Sequence, residues 1–225
     1  MKFAKVYLDC CETTGEWAAR IISDLANPLT IPPLLFMATG WEFNAGNNQI
    51  LYMGAVAIFF FTVLPLGLLI HLQQTARIKT LDITNIKSRN LPFLLTLISY
   101  LIGSVLLLQV RFDGSFVIKI IILCYIVNPV IGWLISQKWK ISIHTAAIGT
   151  NIALFFMLYK IGYKIHSLAY TQVILMVLLI LLPAVMWARY RLGVHSLAQV
   201  SAGAVIGVLL TYLQIMLMLN LNTIF

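Results

Sequence analysis

Arg189, Arg191, His195 and Gln199 fall within one short polar stretch between two long apolar runs. A second histidine, His144, follows Lys140 and Ser142 where another apolar run begins. Charge beside such runs is costly, and ionisable groups at that depth mark working sites in membrane proteins. Arginine presents a planar fork that suits phosphate oxygens, and lysine supplies a point charge. Ser142 and the backbone N–H groups that open the next helix are expected to add neutral donors. Imidazole titrates near neutral pH, so one histidine can attack phosphorus while the other protonates a departing alkoxide. These residue types point to chemistry on a phosphate, with no metal and no cofactor. Cys10, Cys11 and Cys124 have no metal-ligand spacing, and adjacent Cys10 and Cys11 do not readily bridge each other.

The elements that hold these residues must be membrane helices. Of the 225 residues, 61% are hydrophobic and 10% charged, and the mean hydropathy is +0.95. A water-soluble domain of this size has too little interior to hide that much apolar surface. The formal charge of +8 is spread over short loops. That pattern argues against nucleic-acid binding and for topology signals and contact with anionic headgroups. The expected fold is all-α, a helical bundle in the membrane, because backbone groups in lipid must be satisfied within each segment.

Six firm spans are read at about 50–73, 91–110, 115–137, 143–160, 168–187 and 197–221. Residues 27–43 are apolar but contain Pro28, Pro32 and Pro33, which makes them a marginal seventh span or a re-entrant piece. Residues 1–26 are read as an amphipathic helix lying in the interface, with Trp17, Ala18, Ile21, Ile22 and Leu25 on its apolar stripe. Residues 27–225 then form a single membrane domain, without internal repeat or linker. Acids at Asp9, Glu12 and Glu16 argue against a signal peptide.

The loops alternate in charge. Arg77, Lys79, Lys87, Arg89, Lys138, Lys140, Arg189 and Arg191 fall on one face, and Arg111, Lys119, Lys160 and Lys164 on the other. The richer face is expected to be cytoplasmic, in a bacterial inner membrane. Three loops on that face bring His144, His195, Arg189, Arg191, Lys140, Lys87 and Arg89 toward one membrane-surface cleft.

The order Arg189-x5-His195-x3-Gln199 resembles the third motif of the type 2 phosphatidic acid phosphatase superfamily, Ser-Arg-x5-His-x3-Asp. Ile141, Ser142, Ile143 and His144 resemble its second motif, Pro-Ser-Gly-His. The resemblance covers about residues 75–215. It implies a metal-independent membrane phosphatase acting on lipid phosphates or isoprenoid diphosphates. It further implies His195 as nucleophile and His144 as general acid, with Arg189 and Ser142 on phosphate oxygens. Gln199 stands where the family carries the aspartate that orients the nucleophile, and Ala188 replaces the serine before the arginine. The first motif, Lys-x6-Arg-Pro, has its nearest match in Lys87, Arg89 and Pro92, with Asp82 in the lysine position. Lys140 and Arg191 are further candidates for the missing charge.

Plainer readings exist for each residue. Arg189 and Arg191 suit snorkelling anchors, and a lone histidine is commonly a hydrogen-bonded interfacial group. Gly203 and Gly207, at small-xxx-small spacing, read as a close helix contact. A non-catalytic headgroup binder or complex subunit accommodates Gln199. A haem carrier would need paired histidines deep in facing helices, and a transporter would show repeated halves.

Overall fold

The computed structural model describes residues 13–78, 89–162 and 169–222. All regular elements among them are helices: α1 (Thr14–Leu25), α2 (Pro32–Glu42), α3 (Asn47–Gln74), α4 (Asn90–Leu107), α5 (Ser115–Ser136), α6 (Ile143–Gly162), α7 (Ala169–Arg191) and α8 (Leu197–Asn222). Five of them, α3, α4, α5, α7 and α8, are long and apolar enough to cross a membrane. Side chains such as Ile180 (72% exposed) and Leu213 (62% exposed) face outward, as a lipid-facing surface requires. The chain is a multi-pass membrane protein.

The span expected at 143–160 is helical, but α6 falls outside that set of five. His144, Thr145, Thr150, Asn151 and Lys160 dilute its apolar content. Its position explains the tolerance: Thr145, Ile148, Asn151, Leu154 and Phe155 are all fully buried. A helix sheathed by its neighbours needs no lipid-compatible surface, and its polar groups can pair inside the bundle. Asn151 accepts from the Tyr125 hydroxyl at 2.7 Å, and Thr150 accepts from Asn128 at 2.9 Å.

The marginal span at 27–43 resolves into a short helix. At 1.5 Å per residue, the 11 residues of α2 reach about 16 Å, roughly half of a bilayer core. Pro32 and Pro33 open it, where absent N–H groups do no harm. An Asn27 turn precedes it, with the Leu29 N–H donating to Asn27 Oδ1 at 3.0 Å.

Helix α1 begins with a reciprocal cap between Thr13 and Glu16, the capping box. It packs along α7 through Ala19 and Ser23, both fully buried, while Ile21 and Leu25 are 54% and 74% exposed. The small residues form the protein-facing seam, and the apolar stripe points outward. Residues 1–12 of the predicted helix lie outside the described residues.

The core joins the helices through an aromatic cluster. Phe61 of α3 stacks on Tyr100 of α4 at 4.5 Å and meets Phe36 of α2 edge-on at 5.3 Å. Phe61 lies in a π-helical turn, Ile58–Val63, and such turns widen the helix locally. The Phe60 carbonyl there accepts from Ser99 Oγ at 2.6 Å.

The most extensive helix contact is between α6 and α8. A Cβ on Gly149 would sit 2.5 Å from the Ala204 carbonyl oxygen, and one on Gly203 would sit 2.5 Å from that of Ser142. One on Gly207 would collide with the Ala146 carbonyl. The two backbones therefore touch, as the Gly203/Gly207 spacing predicts. Gly207→Val should destabilise the protein by about 1–3 kcal/mol through overpacking. Gly67→Ala, with open space around the new Cβ, should change stability by less than about 1 kcal/mol. Thermal unfolding in detergent micelles tests the pair.

Candidate functional site

The Arg189-to-His195 spacing is set by the end of α7. The Leu192 N–H donates to the Ala188 carbonyl, and the Gly193 N–H to that of Tyr190, both at 3.0 Å. Gly193 has φ +65°, the left-handed conformation that ends helices and favours glycine. The chain reverses there, and the His195 N–H donates to the Arg189 carbonyl at 3.3 Å. The spacing thus folds the histidine back over the arginine.

Helix α8 starts two residues later, at Leu197, with a second reciprocal cap. The Gln199 N–H donates to Ser196 Oγ at 3.3 Å, and the Ser196 N–H donates to Gln199 Oε1 at 3.1 Å. The same Oε1 lies 3.3 Å from His195 Nδ1. An oxygen that already accepts from a backbone N–H accepts again here, so Nδ1 carries the proton and Nε2 keeps its lone pair. Gln199 orients the imidazole while also capping the helix.

His144 enters from the start of α6. Ser142 precedes it, and Ser142 Oγ accepts the Thr145 N–H at 3.4 Å. The Ser142 N–H donates to the Gln199 carbonyl at 3.3 Å, and Thr145 Oγ1 donates to that of Val200 at 2.8 Å. These bonds stitch the starts of α6 and α8 together.

A cavity of about 260 Å³ opens between these helix ends and runs into the bundle. Arg89, His144, Arg189 and His195 line it together. Arg189 is 2% exposed, His195 7% and Arg89 8%. Beyond them the wall is mostly apolar, with Pro92, Phe93, Leu97, Trp133 and Ile141, and it reaches Tyr100, Cys124 and Tyr125. Phe93 and Trp133 stack with centroids 5.3 Å apart, and Trp133 Nε1 donates to Asn90 at 2.9 Å. One end of the cavity is cationic, and the rest suits a hydrocarbon chain.

The remaining sequence candidates among the described residues do not line the cavity. Ser142 is fully buried, and its hydroxyl caps α6. Lys140 donates to the Val194 carbonyl at 2.6 Å, steadying the loop that carries His195. Arg191 is exposed and lies over α1 near Gly15. Lys87 lies outside the described residues.

Two polar contributors escaped the sequence reading. Ser23 of α1 accepts from Arg189 Nη1 at 2.8 Å. Ser136, 2% exposed, lines the cavity, and its Oγ has no hydrogen-bond partner among the described residues. Serines in apolar helices usually bond within their own helix, so neither position carried a signal.

Burial lowers the His195 pKa to about 4, with Arg189, Lys140 and Arg89 adding repulsion and Gln199 opposing. Burial, then Arg189, also lowers the Arg89 pKa. The shift favours the neutral imidazole at physiological pH. Among the described residues no three His, Cys, Asp or Glu side chains gather as a metal site. No protein-family model matches the chain, and neither the curated proteins nor the solved structures include a significant match to it.

The folded His195 binds fewer protons than its unfolded counterpart between pH ~6.5 and about 4. Stability should therefore fall as pH drops through that window. Gln199→Asp places a carboxylate beside the ring and should raise its pKa by about 1–3 units. NMR titration of histidine-labelled protein measures the shift; an unmoved midpoint contradicts the 199–195 contact.

Proposed function

We propose that this protein is a membrane phosphatase that hydrolyses a lipid phosphate monoester or an isoprenoid diphosphate through a phosphohistidine. The observation that supports it is one cavity carrying two histidines and two buried arginines at one end and an apolar wall beyond. The motif resemblance points the same way, and a bacterial inner membrane is the proposed residence.

In this reading Arg189 and Arg89 hold the phosphoryl oxygens and offset their charge. His195 Nε2 attacks phosphorus, and the bond to the leaving oxygen breaks. His144 protonates that oxygen, an alkoxide for a monoester or a phosphate oxygen for a diphosphate. His144 then takes a proton from the water that attacks the phosphohistidine, releasing phosphate and restoring both rings. The leaving lipid stays on the apolar wall.

Gln199 favours a second reading, a non-catalytic relative that binds anionic headgroups or serves as a subunit of a membrane complex. A glutamine oxygen accepts the Nδ1 proton but does not neutralise the imidazolium-like charge on the phosphorylated ring. Loss of the orienting acid in a serine-protease triad lowers the rate by about 10⁴.

Phosphate release by the purified protein in detergent separates the two. Lipid phosphate monoesters and isoprenoid diphosphates are the substrates to supply. The phosphatase reading predicts release by wild type, none above background for His195→Ala, and a loss of about 10²–10⁴ for His144→Ala. Gln199→Asp should raise the rate. Headgroup binding without release, in wild type and Gln199→Asp alike, favours the binder.

A further inference from the structure

The N-terminal helix has no part in the reading above, yet it touches the most buried cation of the site. Ser23 is fully buried and Arg189 is 2% exposed. Ser23 Oγ accepts from Arg189 Nη1 at 2.8 Å, across 166 positions of sequence. Just beyond Ser23, Asn27, Pro28 and Leu29 line the cavity itself. The turn there is held by Asn27, whose side chain takes the Leu29 N–H at 3.0 Å and whose carbonyl takes the Thr30 hydroxyl at 2.8 Å.

We infer that Ser23 is a positioning residue: α1 clamps the Arg189 guanidinium in the plane from which it meets an anion in the cavity. The argument is geometric. Arginine has long, flexible side-chain torsions, and a planar fork binds phosphate well only when its plane is fixed. The buried hydroxyl fixes one nitrogen from outside the cavity. A hydrogen bond to a charged group in a buried setting contributes more than a neutral one. The small seam of Ala19 and Ser23 lets α1 sit close enough to α7 to make the bond. The site is therefore completed by a segment far from both histidines in sequence.

This inference uses the anion site proposed above, but its test does not need turnover. Arg189, Lys140, Arg89 and Gln199 all act on His195, and His144 lines the same cavity. Displacing the Arg189 guanidinium must change the His195 titration. The full chain in detergent micelles, labelled at histidine, is compared by NMR as wild type, Ser23→Ala and Ser23→Thr. The expected result is a wild-type midpoint near 4, a higher midpoint in Ser23→Ala, and a return toward wild type in Ser23→Thr, which keeps the hydroxyl. An unchanged midpoint in Ser23→Ala overturns the inference. So does an equal change in both variants, since that reports helix packing and not the hydroxyl. Phosphate release is measured in parallel, with kcat/KM expected to fall about tenfold in Ser23→Ala and to recover in Ser23→Thr. If wild type releases no phosphate, the phosphatase reading fails alone, and the titration still decides the role of Ser23.

Discussion

The backbone contact between α6 and α8 is the constraint on which the site depends. Gly149, Gly203 and Gly207 leave no room for a Cβ between the two helices. That approach lets Thr145 reach the Val200 carbonyl and Ser142 reach that of Gln199. His144 lies in the first turn of one helix and His195 two residues before the other, so fixing the two helix starts fixes the two histidines. Small residues serve this purpose in membranes because lipid tails provide no hydrophobic drive for helix association. Dispersion and close interhelical hydrogen bonds must supply it.

The electrostatics follow from the same packing. Arg89, Arg189 and His195 converge where water is scarce, with no carboxylate among the described residues that line the cavity. Burying cations together is unfavourable, and the pKa shifts of Arg89 and His195 register it. An anion entering the cavity relieves that repulsion, so the field favours negative charge before any specific contact is made. The neutral His195 and the Gln199 contact at its Nδ1 leave Nε2 as the basic nitrogen. Gln199 is tied to Ser196 as well, so it has a local structural task of its own.

Much of this was legible in the chain. The long apolar runs were read as six spans, of which five are helices long and apolar enough to cross a membrane, and the Arg189, Gly193 and His195 spacing matches a helix end, a left-handed glycine and a folded-back histidine. The glycine pair at 203 and 207 marked the helix contact. What was not legible depends on contacts remote in sequence. Ser23 meets Arg189 only because α1 docks on α7. Ser136 lines the cavity only because α5 faces it. Ser142 and Arg191 have the right chemistry for phosphate, but one caps a helix and the other lies over α1. The π-helical turn in α3 was hidden for another reason: Ile58–Val63 reads as ordinary apolar helix, and its widening answers to Ser99 and Gly103 on the facing helix. Likewise α6 looks like a lipid-crossing helix until its burial shows that it can carry Asn151 and Thr150 in the interior.

The central claim is that His195 accepts a phosphoryl group in a cavity shared with His144, Arg89 and Arg189. Trapping the intermediate tests it most directly. The full chain in detergent is mixed with 32P-labelled phosphatidic acid or isoprenoid diphosphate, quenched in alkali within the first turnover, and digested for peptide mapping. The account predicts an acid-labile, alkali-stable label on His195 that is absent from His195→Ala. Substrate turnover with no label on His195, or with label on another residue, would contradict it.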